Sequence, residues 1–225
     1  MPIDPVPDVR DPWLPDRLLR TERDLLMPLL RRTPEEAYEF RTACPGWTAR
    51  QVLAHCGAAL LRIVEDRLEE GVFLPEANAR DVAERADWSL GRILDELERG
   101  LTEAGPVIAG CGDGRLDAVA LGEWVHAGDV REAFGMPGAY CGAALDLALP
   151  LLSVTSRKRE TPRLVGVLTD RADPPVVLGN AVEDRPPARF RGDAATLIRI
   201  YAGRPLVRTR YELTGATEQE LLIYR

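Results

Sequence analysis

The sequence predicts an α+β protein that is helical in its first part and mixed in its second. Before residue 140, four segments carry apolar residues at helical spacing and are joined by short connections. After MPGAYCG (136–142), short runs rich in β-branched residues appear between helical segments. We therefore expect an antiparallel four-helix bundle over residues 1–140 and a small α+β domain over residues 141–225.

The first two helices are defined by leucine spacing and by a capping residue. Leucines recur at three- and four-residue intervals over 12–32, which predicts a helix with a bend at Pro28. A turn follows over 41–47, and Thr48 stands at the N-cap position of a second helix that is expected to end at Gly71.

The third and fourth helices are separated by a glycine-rich loop. An apolar stripe predicts a third helix over 76–104, ended by Gly105 and Pro106. The loop over 109–115 is read as a flexible connection, because no strand and helix surround it as they would a phosphate-binding loop. The fourth helix is expected over 116–135.

The second part is expected to combine two helices with a few mostly antiparallel strands. The expected elements are a helix over 144–154, strands over 163–170, 175–179 and 207–213, and a helix over 192–204. Asp193 is the expected N-cap of the last helix.

Charge and composition exclude several classes of partner. The formal charge is −7 and the pI is near 5.1, so the chain lacks the basic surface that nucleic-acid binding requires. No apolar run reaches the ~20 residues of a membrane span, and the first 13 residues carry neither the basic nor the apolar region of a secretion signal. We expect a cytoplasmic protein with reduced cysteines.

The two histidines are the candidate metal ligands. His55 and His126 lie in different amphipathic helices, where neutral imidazoles can share one divalent ion. Glu123 and Asp129 lie three residues before and after His126, on the same helix face. Two histidines with one carboxylate leave coordination positions open for a substrate. From spacing alone, a buried histidine with a structural role is the more frequent alternative.

Three segments resemble a known family. CPGWTARQVLAHCGAAL (44–60) and EWVHAGDVREAFGMPG (123–138) resemble the two histidine signatures of the mycothiol-dependent maleylpyruvate isomerase family, a branch of the DinB-like bundle proteins. GDAATLIRIYAGR (192–204) is similar to the last helix of that family. The resemblance extends over nearly the whole chain, in order.

The resemblance implies a DinB-like helical bundle with a divalent ion, usually zinc, bound by two histidines and a carboxylate. His55 and His126 match residue by residue. The family's acid lies four residues before the second histidine, where this chain has Gly122, and the adjacent Glu123 is the expected replacement. Asp129 matches an acid that is expected to orient His126.

The resemblance also implies a reaction, in which mycothiol is the cofactor. Its metal-activated thiol would isomerise maleylpyruvate-like substrates from cis to trans, or would attack an electrophile and remain attached. Arg204 is the candidate catalytic residue, and it and Arg199 are the candidate cofactor-binding residues. Because Gly122 departs from the family pattern, the alternative is a non-catalytic protein that binds a small ligand with a weak or absent metal site.

Other features near the histidines are expected to serve the structure. Cys56 follows His55 directly, but a helix rotates it by ~100° from the histidine, so we interpret it as a packing residue. Trp47 and Trp124 are likewise assigned to packing. A pairing of Asp129 with a nearby arginine such as Arg131 is the alternative to its role beside His126.

Overall fold

The computed structural model describes residues 10–69 and 71–224 as a mixed α/β protein. The expected absence of a secretion signal rests on a segment of which residues 1–9 lie outside the described part. The described helices are α1 (Leu14–Arg32), α2 (Ala49–Val64), α3 (Pro75–Glu84), α4 (Leu90–Gly110), α5 (Asp117–Ala133), α6 (Leu145–Lys158), α7 (Ala194–Ala202) and α8 (Glu218–Leu221). The strands are β1 (Leu164–Leu168), β2 (Val176–Leu178), β3 (Ala188–Gly192) and β4 (Tyr211–Thr214), and a 3₁₀ helix covers Glu35–Glu39.

Four long helices form the apolar core of the first part. Helices α1 and α2 each contact both α4 and α5, while α3 packs against α2. Their contacts bury large side chains completely, among them Leu18, Leu53, Leu97 and Trp124. The antiparallel up-and-down order of these helices stays a prediction. None of the described helices is both long and apolar enough to span a membrane.

Helix α2 begins where the sequence predicts and ends earlier. The Thr48 hydroxyl accepts a hydrogen bond from the Gln51 backbone N–H, and the Gln51 side chain accepts one from the Thr48 N–H at 2.9 Å. This reciprocal cap fixes the first turn. The expected extension to Gly71 is wrong, because Asp66 takes a left-handed conformation (φ 52°) directly after the helix.

The expected third helix is two helices, and its expected end is wrong. Helix α4 starts after Ser89, whose side chain accepts from the Arg92 N–H, and it continues through Gly105 and Pro106 to Gly110. An ideal Cβ at Gly105 would lie 2.6 Å from the Asp16 Cα of α1. The glycine therefore permits close packing of two helices instead of ending one.

The second part contains a four-stranded sheet in the order β2-β1-β3-β4. Strand β1 pairs antiparallel with β2 and parallel with β3, and β3 pairs antiparallel with β4. Strand β3 was not expected, although its residues alternate between buried and exposed positions. Strand β4 is shorter than the expected 207–213, and the expected helix after Asp193 is present as α7.

Helix α5 connects the two parts of the chain. It contacts α1 and α2 in the first part, and α6 and α7 in the second. Helix α6 also contacts α1. The predicted domain boundary at residue 140 is crossed by these contacts and stays a prediction. Residues on α5 therefore lie where the helical part meets the C-terminal part.

Candidate functional site

The structure brings the two histidines together from α2 and α5. The ring centroids of His55 and His126 lie 5.4 Å apart, and the rings are nearly perpendicular, with an interplanar angle of 83°. The Trp47 ring lies 5.1 Å from the His55 ring and 6.5 Å from the His126 ring. Trp47 thus contacts the candidate site directly, whereas Trp124 is buried in the core as expected.

Both histidines line a cavity of about 310 Å³. Its polar wall contains His55, His126, Glu123, Asn78, Tyr224, Arg115, Arg159 and Arg204. Its apolar wall contains Ala59, Phe73, Pro75, Ala118, Val119 and Gly122. Three arginines around one carboxylate make this a cavity suited to an anionic ligand.

Asp129 holds the ring of His126 and the side chain of Arg204. The Asp129 carboxylate is fully buried, and its Oδ2 lies 3.1 Å from the His126 Nδ1. Arg204 donates to it from Nε at 2.8 Å and from Nη2 at 2.7 Å, and the Tyr140 hydroxyl donates at 2.6 Å. The expected role of Asp129 beside His126 fits these contacts, and Arg131 instead pairs with Glu22.

The tautomer of His126 follows from these distances. Nδ1 lies 3.1 Å from the Asp129 carboxylate, which can only accept, and 3.4 Å from the Arg204 Nη2, which can only donate. We assign the proton to Nδ1 because the contact with Asp129 is the shorter one. Nε2 then keeps its lone pair and is the nitrogen available to a metal ion.

The charge of Asp129 is stabilised by its neighbours. Burial alone would raise the pKa of the carboxyl group, but the hydrogen bonds from His126 and Arg204 outweigh it and lower the pKa. Asp129 is therefore a carboxylate at neutral pH, and its negative charge is already paired with the Arg204 guanidinium.

Glu123 is a buried carboxyl group with little compensation. It is 5% exposed, accepts a hydrogen bond from the Cys56 thiol, and its Oε2 has no hydrogen-bond partner among the described residues. Burial raises the pKa of Glu123 to about 8, against the opposing effect of that thiol. Such a group is stabilised by a nearby cation. Cys56, expected only to pack, thus also hydrogen-bonds Glu123.

His55 is a buried and neutral imidazole. Its Nδ1 is buried without a hydrogen-bond partner among the described residues. Burial lowers the pKa of His55 to about 3, and electrostatic interactions with the His126 ring and with Arg62 and Arg85 act in the same direction. The neutral form is the one that binds metal ions.

His55, Glu123 and His126, the metal ligands expected from the sequence, all line the cavity, although their donor atoms do not all lie within 4.8 Å of one another. These three side chains face one cavity, and two of them carry buried atoms without partners in the described part of the chain. A metal ion would satisfy those atoms and compensate the Glu123 carboxylate.

A second group of potential donors is more compact but fits an ion less well. Donor atoms of Cys44, His126 and Asp129 all lie within 4.8 Å of one another. However, the Arg204 guanidinium already occupies both oxygens of Asp129, and burial raises the pKa of the Cys44 thiol. A cation placed there would be repelled by Arg204.

Gly122 lies beneath a side chain near the C-terminus. An ideal Cβ at Gly122 would lie 3.3 Å from the Tyr224 hydroxyl oxygen, and that hydroxyl donates to the Ala118 carbonyl at 3.0 Å. Tyr224 therefore occupies the space above Gly122 on α5. The sequence offered no motif from which this contact would be expected.

Of the two arginines expected to bind the cofactor, the structure places only Arg204 at the cavity. Arg199 stacks on the Tyr140 ring at 4.4 Å and donates to Glu132 at 2.5 Å, and it does not line the cavity. Arg204 follows Gly203, whose left-handed conformation ends α7. Arg115 and Arg159 were not predicted, because single arginines carry no motif in so arginine-rich a chain.

The comparisons with known proteins bear on the fold. Two solved structures are similar: a mycothiol-dependent maleylpyruvate isomerase and a histidine-to-alanine mutant of such an enzyme. Each has a TM-score of 0.54 and 14% sequence identity, over 90% of this chain and 93% of the other. This chain shares the fold of that isomerase. No protein-family model and no curated protein matches it.

Proposed function

We propose that this protein is a divalent-metal-dependent enzyme that activates a low-molecular-weight thiol. As in the isomerase whose fold it shares, the thiol would be mycothiol. The reaction would be the cis–trans isomerisation of a maleylpyruvate-like substrate, or S-transfer to an electrophile. The observation that carries the proposal is one cavity of about 310 Å³ lined by His55, His126 and the incompletely paired Glu123, with three arginines around them.

His55, Glu123 and His126 would hold the metal, with zinc as the expected ion. When bound, such an ion stabilises a thiolate over a thiol at neutral pH and so supplies a nucleophile. Asp129 favours the His126 tautomer in which Nδ1 carries the proton and Nε2 keeps its lone pair. The low pKa of His55 keeps that ring neutral and able to coordinate.

The arginines would orient the substrate. A maleylpyruvate-like molecule carries carboxylates, and guanidinium groups bind carboxylates through paired hydrogen bonds. Arg204 is the candidate catalytic residue because it lines the cavity and is held by Asp129 beside His126. Phe73, Pro75 and Val119 form the apolar wall, which limits the access of water to a reactive thiolate.

The size of the cavity limits what it can enclose. At about 310 Å³ it lies at the lower end of the ~300–1,000 Å³ typical of ligand sites. It suits a small dicarboxylic acid together with the thiol end of a cofactor, and the remainder of a larger thiol would lie outside.

Metal content is the first test. The protein is purified without chelators or a metal-binding tag and analysed for transition metals, and we expect about one equivalent of a divalent ion. The His55→Ala variant, purified in parallel, should lose the metal. Less than about a tenth of an equivalent, not restored by added Zn²⁺ or Ni²⁺, would contradict the enzyme proposal.

The enzymatic activity of the metal-loaded protein is the second measurement. Isomerisation of maleylpyruvate and conjugation of a model electrophile are each assayed with and without mycothiol. Turnover that requires both metal and thiol supports the proposal, and the reaction that turns over distinguishes an isomerase from a transferase.

A non-catalytic ligand-binding protein is the second candidate. The observation that favours it is the Tyr224 hydroxyl above Gly122, which fills the place of the family's acid. On this hypothesis the cavity would bind a small acid through its arginines without metal. This candidate would be favoured if metal-depleted protein bound dicarboxylic acids with the same affinity as metal-loaded protein and had no activity in either assay.

A further inference from the structure

A second, smaller cavity adjoins the one that contains the histidines. Its volume is about 210 Å³, and it is lined by Gly114, Arg115, Ala118, Thr155, Lys158 and Arg159. Arg115, Ala118 and Arg159 line both cavities and form their shared wall. A molecule lying across that wall would contact both.

Thr155 is an unpartnered polar group on this cavity. Its side chain belongs to α6 and the residue is 2% exposed, yet its Oγ1 has no hydrogen-bond partner among the described residues. Leaving a buried hydroxyl without a hydrogen-bond partner is unfavourable. A ligand oxygen in the cavity would remove that cost.

The cavity wall is cationic. Its lining contains Arg115, Lys158 and Arg159 and no carboxylate. Within the described part of the chain, no hydrogen bond or ion pair engages the guanidinium group of Arg115 or Arg159. Asp113, on the loop beside the cavity, is exposed and accepts from the Cys111 thiol and from the backbone N–H of Arg115.

Lys158 holds the two sides of the cavity together. Its ammonium group donates to the carbonyls of Asp113 and Gly114, and it lies 3.6 Å from Asp117, which also pairs with Arg10. This ties the end of α6 to the loop before α5. Lys158 therefore has a structural role at this cavity. The guanidinium N–H groups of Arg115 and Arg159 have no acceptor in the described part of the chain and are available to a ligand.

Helix electrostatics explain only part of this arrangement. Cations at the C-terminus of α6 interact favourably with the helix dipole, which accounts for Lys158 and Arg159. The dipole does not account for Arg115, which lies on a separate loop, or for the unpartnered hydroxyl of Thr155.

We propose that the smaller cavity is an oxyanion site, in which Arg115, Arg159 and Thr155 bind a phosphate or carboxylate group. Because its wall is shared with the histidine cavity, the anion would be the terminal group of a ligand whose other end lies beside His55 and His126. The inference rests on the proposed function, in which the same arginines orient an anionic substrate, and adds the place that holds one end of it; because anion binding requires no metal ion, its test is independent of the metal content.

The test is calorimetric titration of metal-free protein at low salt with inorganic phosphate and, separately, with acetate. We expect saturable binding of at least one anion at one site. The double variant Arg115→Gln/Arg159→Gln should weaken it by more than about tenfold, because it removes two charge-assisted contacts. The tighter anion distinguishes a phosphate ester from a carboxylate as the natural group.

Two further variants separate a site from general charge effects. Thr155→Val should weaken anion binding while the free energy of unfolding stays the same or rises, because the lost hydroxyl has no partner within the described protein. Arg32→Gln, which removes one exposed charge from the end of α1, should leave the affinity unchanged. No saturable binding of either anion, or equal affinity in the wild type and the double variant, would overturn the proposal.

Discussion

At the scale of single residues, two buried carboxyl groups on α5 have opposite surroundings. Asp129 accepts hydrogen bonds from Arg204, Tyr140 and His126, and these contacts lower its pKa. Glu123 accepts from a thiol alone and has a pKa raised to about 8. A metal ion would therefore relieve a larger burial penalty at Glu123, which has no cationic partner among the described residues, than at Asp129, which is already paired with Arg204.

This difference predicts unequal effects of two alanine variants on zinc affinity. Glu123→Ala should lower the affinity sharply because it removes a proposed ligand. Asp129→Ala should lower it by about 10–100-fold, because it releases the His126 ring without removing a proposed ligand. Competition with a chromogenic chelator measures both.

The matched control is Glu132→Ala, which removes an acid from the same helix at a position paired with Arg199. Its zinc affinity should equal that of the wild type. If Glu123→Ala and Asp129→Ala both bind zinc as the control does, the ligands lie elsewhere, and Cys44→Ser is the next variant to measure.

The histidine pair was predictable from sequence because its signatures are local. His55 lies about two helical turns after the capping residue Thr48. His126 lies three residues after Glu123 and three residues before Asp129. Cys44 and Tyr224 were not predictable as neighbours of the site. They reach it only through tertiary contacts, which leave no spacing pattern in the chain.

At the scale of elements, helix α4 shows that a glycine followed by a proline does not always end a helix. Gly105 followed by Pro106 is a typical helix end, yet α4 continues through both residues. The glycine is required because α1 approaches so closely that a Cβ would lie 2.6 Å from the Asp16 backbone. Packing between helices outweighs the local preference of the two residues.

Alanine at Gly105 should therefore destabilise the protein. The added methyl group meets backbone that cannot move aside, and we expect a loss of about 2 kcal/mol in the free energy of unfolding. Gly91→Ala in the same helix is the control, since nothing lies within 4 Å of an added Cβ there. It should stabilise by about 0.5 kcal/mol through helix propensity. Urea denaturation measures both, and equal effects would contradict the packing argument.

Strand β3 shows the limit of pattern analysis for short elements. Ala188, Phe190 and Gly192 are buried, while Arg189 and Arg191 are exposed, so the alternation is present. Only one of the three buried residues is large and apolar. The strand is stabilised by pairing with β1 and β4, which a local pattern does not contain.

At the scale of the whole molecule, Arg204 and Asp129 join the C-terminal part to the helical part. The pair is almost completely buried and is doubly hydrogen-bonded. Together with the contacts of α6 and α7 on α5, it favours one cooperative unit over two independent domains.

We therefore expect a single unfolding transition for the wild type, seen at the same denaturant concentration by circular dichroism and by tryptophan fluorescence. Arg204→Ala should lower the free energy of unfolding by about 3 kcal/mol, because it leaves the buried Asp129 charge without its cation. Arg210→Ala, at an exposed position nearby, should have little effect. Two separate transitions in the wild type would indicate independent domains.

Asp129 combines two requirements in one carboxylate. It orients the histidine of the candidate metal centre, and it anchors the arginine that joins the two parts of the chain. Selection for chemistry and selection for folding therefore act on the same atoms. A related chain without a metal centre would still need this acid to pair with Arg204, so the presence of the acid does not by itself identify an enzyme.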